Sequence, residues 1–194
     1  MGISTRIAGA ALALTLFSLP ALAADPQNTL VITTSHGEID VALRPDLAPN
    51  HVKRIKELAR EGAYDGVVFH RVIDGFMAQT GDVEYGKEGS AGFDVRKAGM
   101  GGSDKPDLKA EFSDAPFKRG VVGMARSSDP DSANSQFFIM LADGDFLNGQ
   151  YTVLGEVEKG MEVVDAIKKG DPSRNGSVDK PDKIVEAHIA ADKK

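Results

Sequence analysis

The sequence predicts a mainly β domain built as an antiparallel barrel or sandwich. Three observations carry the prediction. Eight short runs are rich in β-branched and aromatic residues, only two stretches repeat apolar residues at helical spacing, and nowhere do strand and helix alternate as a parallel α/β sheet requires. A closed barrel with one helix across each end would bury the apolar faces of both helices.

Thr29 to Thr34 and Glu38 to Leu43 are β-rich and separated by Ser35-His36-Gly37, which reads as a hairpin. Pro49 suits the first turn of a helix, where its fixed φ and missing N–H cost nothing. Val52, Ile55, Leu58 and Ala59 then mark one apolar face, and Gly62 supplies a stop. Val67 to Val72 and Phe76 to Thr80 follow as strands around the Asp74-Gly75 turn. Gly81 to Gly102 carries many glycines and no sustained period, which predicts a long surface excursion. Strands resume at Gly120 to Ala125, Ser135 to Leu141 and Thr152 to Glu158, with the polar, turn-forming Ser127 to Asn134 between the first two. Met161, Val164 and Ile167 lie at helical spacing, and Gly170 is the expected stop. Lys183 to Ala190 reads as the last strand and Asp192-Lys193-Lys194 as a frayed tail.

The amino-terminal residues stand apart from this pattern. Arg6 and the amino terminus supply positive charge, Ala8 to Leu19 form an apolar run, and Ala21-Leu22-Ala23 gives the small-x-small pattern of a signal peptidase site. The run falls short of the roughly 20 residues that a membrane-crossing helix needs, so residues 1–23 read as a cleaved export signal, with no membrane insertion afterwards, rather than as an anchor. Residues 24–194 then form one domain. The chain has no cysteine, which excludes disulfides and a lipid-modified amino-terminal cysteine. An export signal without disulfides fits a bacterial periplasm better than a eukaryotic secretory route. The net charge of −6 argues against nucleic acid as a partner, because binding phosphates depends on Lys and Arg.

The chemistry-bearing stretch runs from Phe69 to Asp82 and is answered by Ser135-Gln136-Phe137-Phe138-Ile139. Arg71 lies in an apolar strand, where a permanent charge is costly unless it is paired or faces an open groove. On composition alone an outward-facing surface arginine is the favoured reading. Phe76, Met77, Phe137 and Phe146 are candidates for an apolar pocket wall, against ordinary core. Gln79 and Gln136 are amides set among apolar residues, able to hold a peptide backbone by donating and accepting hydrogen bonds, or else simply exposed strand positions. Phe137 and Phe138 are adjacent on a strand and cannot both line one pocket.

These two segments closely resemble the cyclophilins, a family of peptidyl-prolyl isomerases, and the resemblance extends from about Leu30 to Ala190 through Gly149 to Gly155. It implies a closed eight-stranded antiparallel β-barrel capped by two α-helices. It also implies that no cofactor or metal is needed and that the partners are proline-containing segments of unfolded or partly folded proteins. Rotation about an X-Pro bond suits such a site, since its barrier of roughly 18–20 kcal/mol is amide resonance and nothing is cleaved. By resemblance, Arg71 is the catalytic residue. His70, Phe76, Met77, Gln79, Ala125, Arg126, Gln136, Phe137, Phe146, Leu147 and Tyr151 contact substrate, with Phe137 in the proline pocket and the backbone of Met124-Ala125-Arg126 pairing with the peptide. His70 shapes the groove, because rotation transfers no proton. Phe146, Tyr151 and Arg126 stand where many eukaryotic relatives have tryptophan, histidine and asparagine. The first two replacements remove N–H donors, so weak or no binding of the inhibitor cyclosporin is expected.

Other chemical patterns are incomplete. Asp129 to Asn134 begins like a calcium loop but lacks the glycine at its sixth position and has Met140 in place of the bidentate glutamate. The glycines of Gly81 to Gly102 do not form a phosphate or dinucleotide loop, and there is no Gly-x-Ser-x-Gly elbow. The four histidines, His36, His51, His70 and His188, show no ligand spacing. A noncatalytic proline-peptide-binding module or chaperone, and an envelope scaffold protein, are the rival readings.

Overall fold

The computed structural model describes residues 25–193. The expected signal segment and Lys194 lie outside the described residues. Eight strands form one antiparallel sheet in the order β3-β4-β6-β5-β7-β2-β1-β8. They span Thr29–Thr34 (β1), Gly37–Leu43 (β2), Arg71–Ile73 (β3), Met77–Thr80 (β4), Val121–Met124 (β5), Phe137–Met140 (β6), Val153–Lys159 (β7) and Ile184–Ile189 (β8), with helices at Pro49–Arg60 (α1) and Met161–Ala166 (α2).

The sheet curls until its two edges meet. Beyond β3 and β8 the ladder is a single bridge between Val68 and Lys183. Phe69 N–H donates to the Asp182 carbonyl and Ile184 N–H to the Val67 carbonyl, each at 2.8 Å. This bridge explains why the expected strand over Val67 to Val72 is regular only from Arg71. The backbone at Val68 is shared between Lys183 on one side and Gly86, which accepts its N–H, on the other. The side chains of Val67, Val68 and Phe69 are nevertheless fully buried, which is what made the run apolar.

Inside the curl lies a core that includes Ile32, Ile39, Val41, Val72, Val122, Phe137, Ile139 and Leu154. Helix α1 adds Val52, Ile55 and Leu58, and α2 adds Val163 and Val164. Gly62 ends α1 in the left-handed region at φ 63°, where Gly62 N–H bonds to Ala59 and Ala63 N–H to Leu58, satisfying two of the last free carbonyls. The other end of α1 has no cap from Ala48. Glu111, far along the chain, accepts instead from the backbone N–H groups of Asn50 and His51, each at 3.1 Å, and from His51 Nδ1 at 2.7 Å.

Helix α2 stops at Ala166, four residues before Gly170, because Ile167 turns into extended backbone at ψ 133°. Gly170 instead donates its N–H to the Val72 carbonyl, where its missing Cβ lets the Gly176 carbonyl approach. As far as Asp192 the carboxyl end is likewise held more firmly than a frayed tail. Ala190–Asp192 form a 3-10 turn, and Asp192 pairs with Arg60 at 2.8 Å. No helix among the described residues is long and apolar enough to cross a membrane.

Candidate active site

A second apolar cluster lies on the outer face of the curled sheet, made of Met77, Phe117, Val121, Phe138, Met140, Leu147 and Val153. Strand register decides which residues reach it. In the β3–β4 hairpin, turned at Gly75 with φ 68°, Arg71 is opposite Gln79 and Ile73 opposite Met77. Across the next ladder Gln79 is opposite Phe138 and Met77 opposite Met140. Register partners share a face and neighbours along a strand do not. Arg71, Gln79 and Phe138 therefore line up on the outer face, while Phe137 points inward.

The assignment of Phe137 to the pocket is thereby corrected. Phe137 is 1 % exposed and packs edge-on against Tyr64 in the core, ring centroids 5.6 Å apart. Phe138 takes its expected place, stacked 5.9 Å from Phe117 with the Tyr151 ring edge-on at 5.9 Å. A recess of about 220 Å³ opens over it, lined also by Arg71, Phe76, Met77, Gln79, Ala125, Arg126, Phe146, Leu147 and Tyr151. That is below the roughly 300–1,000 Å³ of sites for drug-sized molecules and suits one small ring. Phe146 stands at the rim, 65 % exposed and 5.5 Å from Phe76.

The polar side of the recess is a chain of hydrogen bonds. Arg71 Nε donates to the Asn175 carbonyl and Nη2 to Asn175 Oδ1, both at 3.0 Å, and Nη1 donates to Gln79 Oε1 at 3.2 Å. Gln79 Nε2 donates to Gln136 Oε1 at 3.0 Å, and Gln136 Nε2 to the Gly101 carbonyl at 2.8 Å. Every acceptor on Arg71 is neutral, so its charge is oriented without being cancelled. Burial pushes the guanidinium below its ordinary range, and two of its five N–H donors stay unspent. Asn175, in the left-handed region at φ 53°, was not singled out from sequence, although its place before Gly176 is an Asn-Gly turn signal.

Gln136 lines an adjoining recess with Gly99, Met100, Gly101, Asn134 and Arg126. The Gly81 to Gly102 excursion is pinned there by Asp82, fully buried, whose Oδ2 accepts from the N–H groups of Gly99 at 2.7 Å and Gly101 at 2.9 Å. His70 lies beneath the same loop, 6 % exposed, against Gly99 and beside a third recess that includes Arg71 and Asn175. Burial, outweighing the nearby Asp82 carboxylate, pushes its imidazole down to about 4. Its place is in the floor supporting the groove.

Arg126 closes the other side. Its guanidinium lies 4.4 Å over the Tyr151 ring and donates to the carbonyls of Ser127 at 2.9 Å and Gln150 at 3.0 Å. At the start of the Asp129 to Asn134 segment one carboxylate serves the turn itself and the other ties it to Ala110. Asp129 Oδ1 accepts from Asp131 N–H, and Asp131 Oδ1 from Ala110 N–H, both at 2.9 Å. Among the described residues no three His, Asp or Glu side chains are grouped to hold a metal.

Residues 29–189 match the family model described as cyclophilin type peptidyl-prolyl cis-trans isomerase/CLD. A "Probable peptidyl-prolyl cis-trans isomerase" of Brucella suis biovar 1 (strain 1330) is 62% identical over 174 residues, 90% of this chain and 88% of that protein. "Peptidyl-prolyl cis-trans isomerase B" of Escherichia coli (strain K12) is 39% identical over 166 residues, 79% of this chain and 94% of that protein. Among solved structures, cyclophilin AquaCyp293 from Hirschia baltica superposes with a TM-score of 0.73 at 27% identity, over 88% of this chain and 76% of that one.

Proposed function

The chain belongs to the cyclophilin-type peptidyl-prolyl cis-trans isomerases, and on that premise we propose that it serves the folding of exported proteins, with Arg71 stabilising the twisted X-Pro amide. As the C–N bond rotates out of conjugation, the proline nitrogen regains a lone pair. A donor aimed at it binds the twisted state better than either planar isomer, and that difference lowers the barrier. One preorganised donor contributes roughly 2.7–4 kcal/mol in comparable sites, about two to three decades of rate. The recess over Phe138, walled by Met77 and Leu147, supplies a dry seat for the proline ring.

The observation that carries this reading is the neutral clamp on Arg71. Asn175 and Gln79 orient the guanidinium but leave it charged and with donors to spare. Export rests on the leader pattern of residues 1–23, and clients in that compartment would be chains whose slow proline steps, tens to hundreds of seconds long, limit folding. The test is isomerisation kinetics of the mature protein beside Arg71→Ala, with circular dichroism on both. A fall of about two decades in kcat/KM with an unchanged spectrum is expected. Unchanged turnover removes the proposed role of Arg71.

A further inference from the structure

Six described arginines, Arg44, Arg54, Arg60, Arg96, Arg119 and Arg174, have a carboxylate oxygen within 4.0 Å. The two that do not are Arg71 and Arg126, and both line the same recess. The recesses flanking it, around Gln136 and around His70, share residues with it, and no Asp or Glu lines any of the three. In a chain of net charge −6, with 29 acidic residues, the groove is thus a local island of uncancelled positive charge.

Arg126 is suited to reading a charge on a bound peptide. It belongs to the wall between the proline-sized recess and the one around Gln136, so a peptide extending from the first into the second passes its guanidinium. Stacking on Tyr151 and two carbonyl acceptors already fix the plane of the guanidinium, so little side-chain entropy remains to be lost on binding. A carboxylate is the partner such a fork lacks.

We propose that Arg126 makes this groove selective for peptides carrying an acidic side chain within two residues of the proline. The inference rests on the isomerase reading of the groove. The preference comes from the attraction between the Arg126 guanidinium and the carboxylate at a solvent-open groove, so it shrinks as salt screens that pair.

The test uses five-residue proline peptides in pairs that differ only by Glu or Gln at one of the four positions within two residues of the proline, at low salt and at 1 M sodium chloride. The expected result is a Glu-over-Gln ratio in kcat/KM of about five to ten at one or more positions at low salt, falling toward one at high salt. Arg126→Gln should bring the ratio to about one, and Arg126→Glu below one. A wild-type ratio of one at every position, or a ratio that survives in Arg126→Gln, overturns the proposal. Acceleration of the Gln peptides reports on the isomerase reading alone. If they are not accelerated, the same ratio is read from peptide Kd by fluorescence anisotropy, where equal affinities overturn the selectivity.

Discussion

Asn175 holds Arg71 at two points, through its backbone carbonyl on Nε and its side-chain oxygen on Nη2, each at 3.0 Å. The first contact survives any substitution and the second does not. Asn175→Gly keeps the left-handed backbone that Asn175 adopts at φ 53° and deletes only the side-chain acceptor. The expected outcome is a fall in kcat/KM of about three- to tenfold, carried by kcat, with peptide affinity and thermal stability nearly unchanged. A fall carried wholly by KM would instead make Asn175 a binding residue.

The two adjacent phenylalanines should separate stability from turnover. Phe137 is packed in the core against Tyr64, so Phe137→Leu should lower stability by about 1–2 kcal/mol in urea unfolding and leave kcat/KM within about twofold. Phe138→Leu changes the floor of the recess, and peptide turnover should fall by about tenfold or more. The reverse pattern would mean that the proline seat lies on the inner face.

That pair also marks how far the sequence could be read. Strands, helices and their order were legible because period-2 runs, Pro49, Gly62 and the Asp74-Gly75 turn are local signals. Most groove residues were legible because two motifs carry them. What one sequence does not hold is inter-strand register, and a phase error of one residue exchanges the faces of a strand. Gln79 sits opposite Phe138, and knowing that pairing alone would have placed Phe138 outward and Phe137 inward. Asn175 was missed for a related reason. Its contact with Arg71 spans 104 residues, and nothing near either residue announces it.

Phe146 offers the groove rim an aromatic face without an N–H donor. Cyclosporin is therefore expected to inhibit weakly, and Phe146→Trp to tighten inhibition by about two- to tenfold, the effect of one net hydrogen bond. Inhibition constants measured on both proteins with one peptide substrate check this.

Glu111 caps α1 from 61 residues away, accepting from Asn50 and His51. Burial by itself would raise its carboxyl, but the hydrogen bonds from His51 and Asn50 outweigh burial and hold it below its ordinary 4.5. A carboxyl with a depressed native pKa stabilises the fold above its unfolded value and loses that contribution as pH falls through the native one. Glu111→Gln should cost about 1–2 kcal/mol at pH 7 in urea unfolding. The gap from wild type should narrow below pH 4.5; a constant gap would show that the carboxylate charge contributes nothing.

His70 gives acid sensitivity in a higher window. Burial holds its native imidazole near 4, whereas in the unfolded chain it protonates near 6.5. Between those values the unfolded state binds the additional proton, so stability falls as pH falls from about 6.5 to about 4. The loss approaches about 1.4 kcal/mol per pH unit and totals about 3 kcal/mol. Replacing the ring with an apolar group, as in His70→Leu, should flatten the unfolding free energy across that window while the Glu111 contribution lost below pH 4.5 remains. In wild type, kcat/KM should show no titration near 6.5, because His70 stays neutral in the folded protein and rotation moves no proton. A bell or step in the rate profile centred there, abolished in His70→Leu, would instead give the imidazole a part in the reaction.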